Sequence, residues 1–279
     1  MRKISATKIT EVVEEEVIAA NLVLGQDMVE ALHRARDVEE SEVGRDILER
    51  LIENAQLAQS QAIPICQDTG VVVVFVELGQ EAIIVGGDLK EAIEEGVRRG
   101  YKKGYLRKSV CHPFTRQNTG DNTPAIIHID LVPGSQLRLW VVPKGGGSEN
   151  MSALYMLPPS ASWKGVKEKV VETVVRAGPN PCPPTIVGVG IGGNFEQCAL
   201  LAKKALLRPL SSANPDPELR DMEQQLLEEI NRSGIGPQGL GGRVTSVAVH
   251  INMMPCHIAS LPLAINIQCH ANRHREIIM

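Results

Sequence analysis

The sequence predicts a mixed α/β fold, α+β on a stricter grouping, whose sheets follow a helical N-terminal layer. Three patterns point there. Apolar residues recur at helical intervals through the first sixty positions, continuous apolar runs at 71–76 and 185–189 read as strands covered on both faces, and amphipathic helical stretches separate the later strands. With no internal repeat and no low-complexity linker, residues 1–279 are expected to form a single domain, 1–60 being its helical layer.

In order, Ile9, Val12, Val13, Val17 and Ala20 fall on one helical face while Glu11, Glu14, Glu15 and Glu16 fall on the solvated one. Residues 28–35 and 43–58 continue the pattern, with Ile47, Leu48, Leu51, Ile52 and Ala55 facing a core. Strands are expected at 71–77 and 82–85, joined by Leu78-Gly79-Gln80, before a helix over 89–99 capped by Asp88. Residues 125–132 and 136–142 read as a strand pair around Pro133-Gly134-Ser135. A helix at 163–176, a buried strand at 185–189, a glycine turn at 190–194 and a helix at 195–207 follow, then a charged helix at 218–233 and strands at 244–253 and 261–267.

Composition narrows the function. The 279 residues are 43% hydrophobic, ample for a core, but only 3% aromatic, so packing rests on Val, Ile, Leu and Ala. Net charge is −4 and no basic run exceeds a pair such as Arg98-Arg99 or Lys102-Lys103, which argues against a nucleic-acid partner. No stretch approaches the roughly 20 apolar residues that cross a bilayer, and Met1-Arg2-Lys3 leads into an acidic amphipathic pattern, so a cytoplasmic, non-membrane protein is expected. In that compartment the six cysteines are expected reduced, as metal ligands or core filler; no CxxC pair occurs.

Chemistry concentrates in the joints between elements. Cys66-Gln67-Asp68-Thr69-Gly70 puts a thiol, an amide, a carboxylate and a hydroxyl in one turn at the mouth of a buried strand, although a plain helix-to-strand loop with a structural cysteine has the same look. The polar stretch 107–122 is long for an idle loop. Gly145-Gly146-Gly147 follows a strand and frees backbone N–H groups to meet a carboxylate or phosphate, weak evidence by itself. Gly188, Gly190, Gly192 and Gly193 miss the dinucleotide-binding spacing. The His270/Arg273/His274 cluster reads most simply as a cationic tail.

Taken together and in this order, Cys66-Gln67-Asp68-Thr69-Gly70, Asn118-Thr119-Gly120-Asp121-Asn122, Lys144-Gly145-Gly146-Gly147-Ser148-Glu149-Asn150, Cys182-Pro183-Pro184, Gly236-Pro237-Gln238-Gly239 and Cys269 closely resemble the alpha subunits of the class I, iron-sulfur-dependent fumarate hydratases and the related L(+)-tartrate dehydratases. The resemblance spans nearly the whole chain and implies an iron-sulfur hydro-lyase alpha domain. It implies a 4Fe-4S cluster on Cys66, Cys182 and Cys269, one iron staying open as a Lewis acid for reversible hydration of fumarate to (S)-malate, a tricarboxylic acid cycle reaction. It also places Gln67, Asp68, Arg107 and Gly146 at a small dicarboxylate, Asp68 in a supporting catalytic role, and the general base on a separate beta subunit in an alpha2-beta2 heterotetramer, without which the chain is inactive. The glycine loop leans toward fumarase; tartrate dehydratase is the nearest alternative and a non-catalytic anion-binding subunit a remote one. Cys111, Cys198 and Cys256 fall outside the motifs.

Overall fold

Apolar residues spaced by four on two helices and by two on two strands generate the first of two compact units, made of residues 1–24, 55–146 and 273–279. The computed structural model describes all of residues 1–279 and mixes helix and sheet throughout. In this unit α1 (Ala6–Leu22) and α4 (Leu89–Lys103) lie against a four-stranded sheet ordered β10-β5-β2-β4. Its strands are β2 (Val71–Gly79), β4 (Ile126–Val132), β5 (Leu137–Lys144) and β10 (Arg275–Ile278). Ile9, Val13 and Val17 of α1 and Ile93, Val97 and Tyr101 of α4 pack on Val72, Val74 and Val76 of β2 and on Leu137, Leu139 and Val141 of β5. Each such aliphatic side chain contributes about 1.5–3 kcal/mol on leaving water. The two helices touch closely because α4 has glycine where α1 has valine: a Cβ on Gly100 would stand 2.2 Å from Val17 Cγ1.

Helices fill the N-terminal layer as expected, but a short strand, β1 (Arg2–Ser5), precedes them and pairs in parallel with β3 (Ala82–Val85). So β2 and β3 are not partners although only Gln80 and Glu81 separate them. Nor do β4 and β5 pair with each other: β2 lies between them, parallel to β4 and antiparallel to β5. The turn at 133–135 therefore links next-nearest strands, and the buried, almost wholly apolar β2 takes the centre of the sheet, where both its edges are satisfied.

The second unit holds residues 25–54 and 147–272. Its sheet runs β6-β9-β7-β8, from β6 (Ala153–Leu157), β7 (Thr185–Gly193), β8 (Ser246–Cys256) and β9 (Leu261–Gln268). Val166, Val170 and Val174 of α6 (Ser162–Ala177) and Leu226 and Ile230 of α8 (Pro217–Asn231) pack on Val187, Val189, Ile251 and Ile265. Against the same sheet lies α7 (Phe195–Ala205), whose Ala202 and the fully buried Cys198 meet Ala264. The glycines expected to form a turn at 190–194 instead prolong β7 to Gly193. Gly188 and Gly190 make room for α7, since a Cβ there would sit 2.2 Å from the Ala202 carbonyl oxygen and 2.0 Å from that of Cys198. Cys198 is thus a packing residue, and burial pushes its thiol up.

One carboxylate organises this unit's glycine loop. Glu39, only 1% exposed at the end of α2 (Gln26–Val38), ahead of α3 (Glu42–Gln61), accepts N–H bonds from Glu40, Ser41, Arg243 and Val244 at 2.8–3.0 Å. Burial alone would raise its pKa, but the N–H donors of Arg243, Ser41, Val244 and Glu40 outweigh it and hold the group below the ordinary 4.5. A lowered native pKa means the bonds stabilise the fold fully above the unfolded value and are lost as acid protonates the native carboxylate, below about 4.5. Glu39→Ala is expected to cost about 2–4 kcal/mol at neutral pH by stranding these donors. Urea titrations at pH 7 and pH 4 check this: the deficit of the variant against the native chain should shrink toward pH 4.

No helix is long and apolar enough to cross a membrane.

Candidate active site

In the first unit the polar turn ahead of β2 is held from every side. Gly70 is at φ +78°, and a Cβ on it would stand 2.6 Å from the Lys144 carbonyl carbon, so the turn closes flat against the end of β5 only with glycine there. The Asp68 carboxylate then reaches two backbone donors: Gly70 N–H on Oδ1 at 3.0 Å and Gly146 N–H on Oδ2 at 2.8 Å. The Asp68 N–H donates in turn to Cys66 Sγ at 3.4 Å. Gln67 is exposed and Cys66 and Asp68 are half-buried, so the turn faces outward on a rigid base.

Beneath it the carbonyls of Thr69 and Gly70 are taken. Tyr101 Oη donates to the carbonyls of Thr69 (2.6 Å) and Gly70 (3.0 Å), and Asn122 Nδ2 donates to Gly70 at 3.2 Å. Burial pushes the Tyr101 phenol up, against the pull of the Arg273 charge, so it stays a hydroxyl donor at neutral pH. Thr69 Oγ1 donates to the carbonyl of Arg107 at 2.8 Å, which roots the start of the long polar loop on the turn and leaves the Arg107 side chain exposed. Asn122 Oδ1 accepts from Ser109 and Val110, and Arg98 Nε donates to Asp121 at 3.1 Å. Burial would raise the Asp121 pKa, but its bonds to Thr123, Arg98 and Thr119 bring it down to about 2. The Asn118–Asn122 motif is therefore the loop's internal brace.

Arg273 overturns the simplest reading of the C-terminal basic cluster. It is no solvated tail: the residue is 2% exposed, and its Nη1 donates to the Asp68 carbonyl (2.7 Å) and to Asn21 Oδ1 (3.1 Å). Asn21 and Tyr101 carry no signal in the sequence, and Arg273 stands out there only as a member of the C-terminal basic cluster.

In the second unit two thiol-bearing loops are stitched together. Cys182 takes φ +54° between Pro181 and Pro183 and is exposed. His270 Nδ1 lies 3.0 Å from the Cys182 carbonyl oxygen, and Gln238 donates to the Pro183 carbonyl through both its backbone N (2.8 Å) and Nε2 (2.7 Å). This unites three separate motifs: Cys182-Pro183-Pro184, Gly236-Pro237-Gln238-Gly239 and the segment from Cys269. Cys269 is half-buried at the end of β9, with Gln268 Nε2 4.0 Å from its Sγ. The glycine loop contributes α5 (Gly146–Glu149), whose Glu149 pairs with Lys203 and accepts from Asn266 Nδ2 at 2.9 Å, an anchor to β9.

Each of these three cysteines sits at a loop end outside a hydrophobic core, and Cys66 receives a backbone N–H, chemistry that suits a soft metal ligand. No three His, Cys, Asp or Glu side chains converge as a ready metal-binding group in the protein itself.

Comparison with known proteins agrees with these motifs. The family model for fumarate hydratase (Fumerase) matches residues 10–278, which makes the chain a member of a hydro-lyase family. It belongs to the fumarate hydratase and tartrate dehydratase alpha family. A Methanocaldococcus jannaschii protein named "Putative L(+)-tartrate dehydratase subunit alpha" is 43% identical over 274 residues, 95% of each chain. L(+)-tartrate dehydratase subunit alpha of Escherichia coli O157:H7 is 33% identical over 279 residues, 99% of this chain and 92% of that one. The strain K12 protein of the same name is 32% identical over the same span.

Proposed function

We propose that this chain is the alpha subunit of an iron-sulfur hydro-lyase that adds water reversibly across the double bond of a small dicarboxylate, fumarate giving (S)-malate, with a beta subunit completing the enzyme. Cys66, Cys182 and Cys269 would hold a 4Fe-4S cluster. With three thiolates for four irons, the cluster would supply one open Lewis-acidic iron for the substrate hydroxyl. The observation that carries the reading is the Asp68 turn: a carboxylate poised two residues from a ligand thiol, on fixed backbone donors, in a family of hydro-lyases.

The chain's own residues suit a dianion. The exposed Arg107 guanidinium offers a fork for one carboxylate and Gln67 an amide beside it. The Gly146 N–H is engaged by Asp68 Oδ2, so an arriving substrate carboxylate takes that donor and releases one Asp68 oxygen toward the C2 hydroxyl. Asp68 then orients the hydroxyl that leaves or the water that adds. The proton on C3 is removed by a group of the beta subunit, since this reading gives no residue here that task, and an alpha2-beta2 assembly follows. L(+)-tartrate is the second reading, favoured by the names of the relatives, whereas the family model's description and the form of the glycine loop favour fumarate. Turnover of (S)-malate and L(+)-tartrate by the chain, with and without its beta partner under anaerobic conditions, tests both. Malate turnover by the pair only is expected; tartrate preference would shift the substrate, and full activity of the chain alone would refute the shared site.

A further inference from the structure

The Asp68 turn has a support that a packing role does not explain. Arg273 buries a guanidinium with five N–H donors, yet the bonds it makes run through Nη1 alone, to Asn21 and to the Asp68 carbonyl. Its Nε is buried and has no partner. A buried cation with an unmet Nε donor is costly, and no ion pair offsets that cost. Something other than stability is being served.

Gly145 shows what. A Cβ on that residue would stand 3.0 Å from Asp68 Oδ2 and 3.4 Å from Arg273 Nη2, so the carboxylate and the guanidinium flank the same bare stretch of backbone. They are close without forming an ion pair, while Oδ2 is spent on Gly146 N–H. Arg273 thus grips the main chain of Asp68 and leaves its carboxylate to the glycine loop. Four segments meet through these contacts: the end of α1 at Asn21, the Cys66–Gly70 turn, the glycine loop, and the strand-like C-terminus.

We infer that Arg273 is a positioning residue: its Nη1 clamp on the Asp68 carbonyl fixes the turn's backbone so that only the Asp68 side chain moves when a dicarboxylate displaces it from Gly146. The inference rests on the proposed hydro-lyase function for its kinetic consequence, but the clamp itself is a property of the chain. The guanidinium keeps Nη2 beside Gly145 while Nη1 is committed, whereas a lysine supplies the point charge and one bond, so lysine restores the clamp only in part.

The test uses Arg273→Met, Arg273→Lys and Gly145→Ala in the full chain with its beta partner. Arg273→Met is expected to lower kcat about 100-fold with KM within about threefold, and Arg273→Lys to recover roughly a tenth of native kcat, because misplacing a reacting group by an ångström costs on this order. Gly145→Ala, which leaves Arg273 in place and crowds the space it shares with Asp68, should lower kcat about tenfold. Independently of activity, iodoacetamide labelling of the chain without cluster, read site by site by mass spectrometry, should be about fivefold faster at Cys66 in Arg273→Lys than in the native chain, with Cys256 unchanged as the control. Native kcat in Arg273→Met, loss confined to KM, no recovery by lysine, or failure of all three variants to fold would each overturn the inference. If the native complex turns over neither malate nor tartrate, the proposed function falls, and Cys66 labelling alone then decides the clamp.

Discussion

Replacing Cys182 with serine is expected to abolish iron binding by the assembled enzyme and lower its turnover by about a thousandfold or more, the loss of several kcal/mol of Lewis-acid stabilisation. The substitution is mild for the fold. Cys182 is exposed, its left-handed backbone is set by Pro179, Pro181 and the Gln238 bonds to Pro183, and serine keeps the shape while exchanging a soft donor for a hard one. The melting temperature should therefore stay within about 3 °C of the native value. Cys66→Ser and Cys269→Ser should behave alike. Cys256→Ser, at the exposed end of β8, should leave both iron and turnover unchanged. Equal iron content in the Cys182 and Cys256 variants would remove the ligand assignment.

Asp68→Asn has the second largest expected effect. Both carboxylate oxygens now accept backbone N–H bonds, from Gly70 and Gly146, and an amide has only one oxygen to offer them. One donor is left facing an NH2 group, a cost of about 1–3 kcal/mol that loosens either the turn or the glycine loop. On the proposed function the variant would lose the anionic acceptor for the C2 hydroxyl, so kcat should fall about 10²–10³-fold while iron content is retained. Steady-state kinetics with iron analysis on one preparation checks it. Iron loss equal to that of Cys182→Ser would mean Asp68 serves the cluster pocket and not the substrate.

Much of the fold is legible in the sequence itself. Helical faces such as Ile9/Val13/Val17, and apolar strands such as β2, carry their period in a short window, so local pattern and long-range packing agree. The errors share one physical origin. Strands β1, β6 and β10 are only four or five residues long, and β10 begins Arg275-Glu276, so no period can establish itself. Neighbours in sequence look like partners in a sheet, yet β2 inserts between β4 and β5 because its fully apolar run demands a central place. The glycines of β7 read as a turn because the requirement they meet, the carbonyls of α7, lies about ten residues further along.

The site divides in the same way. Thiols, carboxylate and glycines announce themselves by type and order, and the family they indicate is the one whose model matches. What holds them in place does not. Asn21 and Arg273 stand 252 positions apart and are joined by one hydrogen bond, and a buried arginine has the same letter as a solvated one. The bracing of Gly70 by Tyr101 and Asn122, and of Cys182 by His270, is likewise a product of tertiary structure.

The central claim is that three distant cysteines serve one inorganic cofactor at a dicarboxylate site. Its most direct measurement is iron and acid-labile sulfide in the anaerobically purified complex with the beta partner. The account predicts about four of each per alpha chain. Protein free of sulfide that still dehydrates malate or tartrate at full rate would contradict it.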